Sequence, residues 1–326
     1  MQPILAVTIP FFALVLAGYV AARRRWLPDS SIPGLNGFVL FFALPCLLLR
    51  FGAGLPVAQL IDPVVIGVYL LSALLMVFFT IAVTLSARVS LKDAAFGALV
   101  AAFPNTGFMG VPLMVALLGP AATGPMMPTI LVDLFVTSSL CIALAQSQAD
   151  PDASSETGAR RATSRALRAA LTNPLPWAIL LGGALSALGL ALPGPIDTIV
   201  RMLADAASPV ALFTIGAVLW RAGQHAHGRT PVALYLPVAL IKLFMHPLLV
   251  FALAASAQRL GLDLSNFQVL VLTLTAALPS ASSVSLLAER YRADNGRVAR
   301  IIVASTALSF ASFSLLAWAV GIEPQR

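Results

Sequence analysis

Ten apolar runs of roughly bilayer-spanning length divide this 326-residue chain. They fall at about 3–22, 34–52, 63–87, 93–118 and 126–147, then at about 174–192, 196–220, 231–257, 266–288 and 298–321. A spanning helix needs about 20 apolar residues, because each residue rises about 1.5 Å through a hydrocarbon core about 30 Å thick. The runs do not alternate apolar and polar residues, so they read as helices and not as barrel strands. Hydrophobic residues make up 59% of the chain and charged residues only 10%, against roughly 25% charge in soluble domains. A chain this apolar cannot cover its own surface in water, and the bilayer is the solvent that tolerates it. The expected fold is an all-α polytopic membrane protein.

A polar stretch interrupts the runs. Residues 148–172 hold Asp150, Asp152, Glu156, Arg160, Arg161, Arg165 and Arg168, and read as a cytoplasmic linker between a first unit, 1–147, and a second, 173–326. The run from Ile4 to Ala22 has no basic residues before it and Arg23, Arg24 and Arg25 after it. That order suits a first span that starts outside, not a cleaved signal peptide. With the N-terminus outside, 15 of the 20 Lys and Arg fall on inner connections, 4 on outer ends, and Lys242 within a span. The bias predicts a multi-pass cell-membrane protein with both termini non-cytoplasmic. It also accounts for the net charge of +7 without a nucleic-acid partner.

Five spans per unit, an odd number, place the second unit upside down relative to the first. Proline positions echo between the units in the same order. Gln2-Pro3 matches Asn173-Pro174, Leu27-Pro28 matches Leu192-Pro193, and Leu44-Pro45 matches Ser208-Pro209. Further on, Asp62-Pro63 matches Thr230-Pro231, and Phe103-Pro104 matches Leu278-Pro279. Inverted repeats of this kind are typical of secondary transporters.

Span four reads Pro104-Asn105-Thr106-Gly107-Phe108-Met109-Gly110-Val111-Pro112. Pro104 lacks an N–H and should break the helix. The freed backbone must be buried in protein or line a polar cavity. Span nine does the same with Pro279, Ser280, Ser282, Ser283 and Ser285. Paired interruptions at matching places point to a midplane substrate site. Half-helix N-termini there offer free amides and partial positive charge, suited to a carboxylate. The bland alternative is two proline kinks whose Ser and Thr bond back to the helix. The candidate substrate-binding residues are Pro104, Asn105, Thr106, Gly107, Pro279, Ser280, Ser282 and Ser283.

The span-four string resembles the signature of the auxin efflux carrier family, which includes plant PIN-type carriers and bacterial permeases, some for small dicarboxylates such as malonate. The span-nine string Ala276-Ala277-Leu278-Pro279, followed by Glu289-Arg290-Tyr291, is similar to the family's second crossover. The resemblance implies ten spans with broken, crossing helices four and nine. It further implies a scaffold of spans 1, 2, 6 and 7, a transport core of spans 3–5 and 8–10, dimerisation and elevator-type movement. The substrate it implies is a small organic anion. The family often carries a polar residue after the first crossover proline, where Asn105 stands. The small serines after Pro279 depart from it.

Asp133 and Lys242 are charges inside spans, costly unless partnered or wetted. They are candidates for proton or sodium coupling, or else a structural pair. His246, one turn beyond Lys242, reads as a packed or hydrogen-bonded residue. Asp197, Arg201 and Asp205 repeat every four residues and suggest a helix-face ion-pair set. His225 and His227 lack acidic or Cys neighbours, and Cys46 and Cys141 lie in apolar runs, so no metal or cofactor is expected. No His-Glu-x-x-His or Gly-x-Ser-x-Gly motif supports an enzyme. A receptor would not need paired broken helices. A sodium-coupled symporter of the bile-acid type is the nearest rival, weakened because no Asp or Glu adjoins Pro104 or Pro279.

Overall fold

A computed structural model describes residues 1–147, 171–225 and 230–322. Most of the expected linker, and His227, lie outside the described residues. The rest is helical apart from connections and two isolated two-residue bridges. The helices are α1 (Gln2–Arg23), α2 (Ser31–Ala53), α3 (Pro63–Thr84) and α4 (Leu91–Ala102). Next come α5 (Thr106–Leu118), α6 (Pro120–Gln146), α7 (Pro174–Ala187) and α8 (Gly194–His225). The last are α9 (Val232–Arg259), α10 (Asn266–Ala277), α11 (Val284–Arg290) and α12 (Asn295–Ala319).

Seven helices among the described residues are long and apolar enough to cross a membrane; α5, α7 and α10 are apolar but shorter. The apolar runs expected as spans four and nine are each divided, into α4 with α5 and α10 with α11. Helix starts follow local capping chemistry. Asp62 accepts from the amides of Val64 and Val65 at 2.9 and 3.1 Å, with Pro63 in the first position, where its missing N–H costs nothing. Ser265 and Gln268 form a reciprocal capping box at the start of α10. Gln268 also donates to the second oxygen of Asp62 at 2.8 Å, tying the start of α10 to that of α3.

Four helices contain one wide π turn: Val39–Ala43 in α2, Thr106–Gly110 in α5, Asp133–Thr137 in α6 and Ile241–Met245 in α9. Three of them end two residues before a proline, namely Pro45, Pro112 and Pro247. Proline brings no N–H to the carbonyl four residues back and crowds it, so the turn widens to accommodate it. The fourth has no proline. There the Asp133 carbonyl accepts both the Ser138 amide of the wide turn and the Ser138 hydroxyl, the latter at 2.8 Å.

Two helix pairs pack backbone against backbone. A Cβ on Gly18 of α1 would overlap the Phe213 carbonyl of α8, and one on Gly216 of α8 would overlap the Val15 carbonyl of α1. Gly182 of α7 meets the Leu49 carbonyl of α2 in the same way, and Gly52 of α2 approaches the Ile179 carbonyl of α7. Small residues allow such contacts between membrane helices, where van der Waals packing replaces the hydrophobic effect.

Candidate functional site

Phe103-Pro104-Asn105 and Pro279-Ser280-Ala281 run antiparallel where the two interrupted helices cross. The Asn105 amide donates to the Pro279 carbonyl at 2.8 Å, and the Ala281 amide donates to the Phe103 carbonyl at 3.0 Å. Each proline removes its own helix bond and leaves neighbouring backbone groups free. Pairing the two breaks satisfies those groups away from water. Asn105, Thr106 and Ser280 are all buried.

A cavity of about 210 Å³ adjoins the crossing, bordered by Pro104, Asn105, Thr106, Gly107 and Ser283. It is smaller than the roughly 300–1,000 Å³ typical of drug-sized sites, a scale for a small solute. The Thr106 hydroxyl is buried and finds no protein partner. The first-turn amides of Gly107 and Phe108 take no acceptor among the described residues. Free amides at a helix N-terminus, beside a buried hydroxyl, suit an anionic oxygen. Among the described residues no Lys or Arg lines this cavity, so the described part of its wall meets an anion with dipoles and neutral donors.

Of the residues expected at the site, Pro279, Ser280 and Ser282 do not reach the cavity. Pro279 and Ser280 build the crossing, and Ser282 accepts a hydrogen bond from the Ser285 hydroxyl at 3.0 Å. Ser138 and Asn173 border the cavity instead, with Leu40 and Leu175. Sequence reading missed them because α2, α6 and α7 approach the crossing only through tertiary packing. A second cavity, of about 340 Å³, shares Leu40 and Leu286 with the first and is bordered by Asn36 and Arg221 on one side and Glu289 and Asn295 on the other.

Asp133 and Lys242 are both fully buried. No direct salt bridge joins them. Asp133 accepts from the Tyr69 hydroxyl at 2.9 Å and the Thr137 hydroxyl at 3.1 Å. Lys242 Nζ donates to the Ala276 carbonyl at 2.8 Å and lies 2.8 Å from His246 Nδ1. The Tyr69 and His246 rings lie side by side at a tilt of 44°, with 6.1 Å between centroids. The charges thus occupy two ends of one enclosed polar cluster among α3, α6, α9 and α10. Neither Asp133 nor Lys242 lines the crossing cavity.

Two charged groups fall otherwise than expected. Arg201 pairs with Asp197 at 2.8 Å, but Asp205 turns to Arg50 of α2 at 3.6 Å instead of joining the set. Both pairs are exposed and worth about 0–1 kcal/mol. Arg297, counted among the basic residues of the connections, is buried. Its Nε donates to the Leu234 carbonyl and its Nη1 to the Asp93 carbonyl, both at 2.8 Å. It thereby ties α4, α9 and α12 together at one end. Glycine at position 97 makes room for it, since a Cβ there would lie 2.8 Å from Nη1.

A bundle of apolar helices, two of them broken and bonded to each other beside a buried cavity, defines an integral membrane protein of the transporter class. The family described as "Membrane transport protein" matches residues 3–318, and the chain belongs to it, the auxin efflux carrier family that the span-four string resembles. The chain is 28% identical over 323 residues to a Rhizobium meliloti (strain 1021) protein named "Putative malonate transporter", covering 98% of this chain and 97% of that one. It is 24% identical over 294 residues to the Escherichia coli (strain K12) "Uncharacterized transporter YfdV", covering 87% of each.

Proposed function

We propose that this chain is a secondary transporter for small carboxylates, with malonate-like dicarboxylates as its substrate class. The observation that carries the reading is the cavity at the crossing, where Asn105, Thr106 and the free amides of Gly107 and Phe108 converge. The relative named for malonate supports the substrate class. An elevator movement is the proposed mechanism, with α1, α2, α7 and α8 as scaffold and the remaining helices as the moving core. The paired glycines support it. Gly18 and Gly182, like Gly52 and Gly216, are separated by the same 164 positions (182 − 18 and 216 − 52). The α1–α8 contact is therefore the counterpart of the α7–α2 contact under an inverted repeat of ten spans. The second cavity lies between these sets, with Asn36 and Arg221 on the scaffold and Glu289 and Asn295 on the core. With the arginine-rich end cytoplasmic, both cavities belong to an inward-facing state.

Purified protein in liposomes loaded with malonate should exchange it for labelled external malonate, and a monocarboxylate should compete poorly. Asn105→Ala should weaken apparent affinity about tenfold or more. A hydrogen bond to a charged group contributes about 1.5–3 kcal/mol, and 1.4 kcal/mol is one decade. Absence of exchange for every carboxylate tested, from protein that melts cooperatively, would remove the proposal.

A further inference from the structure

Lys242 lines neither cavity at the crossing, yet it is spent on a feature that the crossing creates. α10 stops at Ala277 because Leu278 is extended, at φ −60° and ψ 154°, before Pro279. The last carbonyls of a helix have no partner within it, and they carry its partial negative charge. Here that end is sealed: Ala276, Ala277 and Leu278 are all buried. In an unbroken helix the Ala276 carbonyl would accept from the Ser280 amide. That amide donates instead to the Ser305 hydroxyl at 3.2 Å. The Lys242 ammonium takes its place from the neighbouring helix, at 2.8 Å. The π turn Ile241–Met245, which carries Lys242, precedes Pro247.

In transporters with broken helices, the C-terminal end of a half-helix is where a free coupling cation is held by backbone carbonyls. An ammonium on a four-carbon stem is a monovalent cation delivered to that place by the chain itself. We infer that Lys242 is a resident substitute for a coupling cation at the end of α10, so that the carrier moves its anion without sodium. The inference deepens the transport reading and rests on it for its effect on turnover. Two further buried polar atoms on neighbouring residues lack a protein partner: the Thr275 hydroxyl, on the residue before Ala276, and His246 Nε2.

The test compares wild type, Lys242→Ala and Lys242→Ser, the last keeping a polar group at the start of the vacated space should the alanine variant not fold. Malonate exchange in liposomes is measured in sodium, in methylammonium and in bulky N-methylglucamine salts. Thermal melting of the detergent-purified proteins is followed in the same three salts. Wild type should exchange and melt alike in all three. The variants should lose about tenfold or more of exchange in N-methylglucamine, the size of one lost bond to a charged group. They should recover part of it, and melt higher, in sodium or methylammonium, because a ligand that binds only the folded state raises its stability. Sodium-dependent exchange or melting of the wild type would overturn the inference. So would variants indifferent to every small cation. Wild type that exchanges no carboxylate in any salt counts against the transport reading, and the melting curves, which need no transport, then decide the Lys242 inference alone.

Discussion

At the scale of single residues, Asp133 shows how a buried carboxylate is kept without a cation in contact. The hydroxyls of Tyr69 and Thr137 supply two donors to its oxygens, and an enclosed carboxylate without them would carry its full desolvation cost. Tyr69→Phe removes one of those donors and no volume, and should lower stability by about 1.5–3 kcal/mol, seen as a lower melting temperature in detergent. In double-mutant cycles, Asp133→Asn with Tyr69→Phe should show a coupling above about 0.5 kcal/mol. The cycle of Asp133→Asn with Lys242→Met should show less, since no direct bridge joins that pair. The reverse order would mean that the charges, not the hydroxyl, organise the cluster. Asp133 and Lys242 were legible in the sequence because a charge inside an apolar run has to be accounted for. Tyr69 was not, since a tyrosine in such a run reads as one more apolar residue and its partner lies 64 positions away. The burial of Arg297 was not legible either: charge counting sets the side of the membrane and says nothing of burial.

At the scale of elements, proline placement carried most of what could be read. Pro104 and Pro279 mark the two interruptions, and Pro45, Pro112 and Pro247 each follow a π turn. The π turn at Asp133 has no such marker, since no proline follows it. Glycines carried information that only the packed helices reveal. Gly18 and Gly216 look no different in sequence from Gly34 or Gly67, yet a Cβ at the first two would overlap a neighbour's backbone, and at the last two it would meet nothing. Gly18→Ala and Gly216→Ala should therefore each cost about 1–3 kcal/mol, the range for overpacking. Gly34→Ala and Gly67→Ala should be near neutral or slightly stabilising, as alanine favours a helix. Melting temperatures of the four variants check this, and equal values across them would deny the α1–α8 contact its role.

At the scale of the whole molecule, the ten apolar runs and the two interruptions were legible, while the cavity walls from α2, α6 and α7 were not. Span counting reads each run by itself, and a cavity belongs to several helices at once. The orientation can be checked directly. In a background without Cys46, Ala121→Cys should react with an impermeant thiol reagent on intact cells, and Ser86→Cys only after the membrane is opened; the opposite pattern would invert the topology. Both positions are exposed, so accessibility decides the result. The bridge between Pro104 and Ser280 also bears on how the protein is made. The Asn105 amide and the Phe103 carbonyl are bonded to residues that follow them by 174 and 178 positions (279 − 105 and 281 − 103). At about 5–20 residues per second, a ribosome takes about 10–35 seconds to synthesise that interval. For that time the first interruption has no backbone partner from the second half, in a solvent that punishes unpaired amides. The first interruption can therefore complete its backbone pairing only after residues 279–281 have been made.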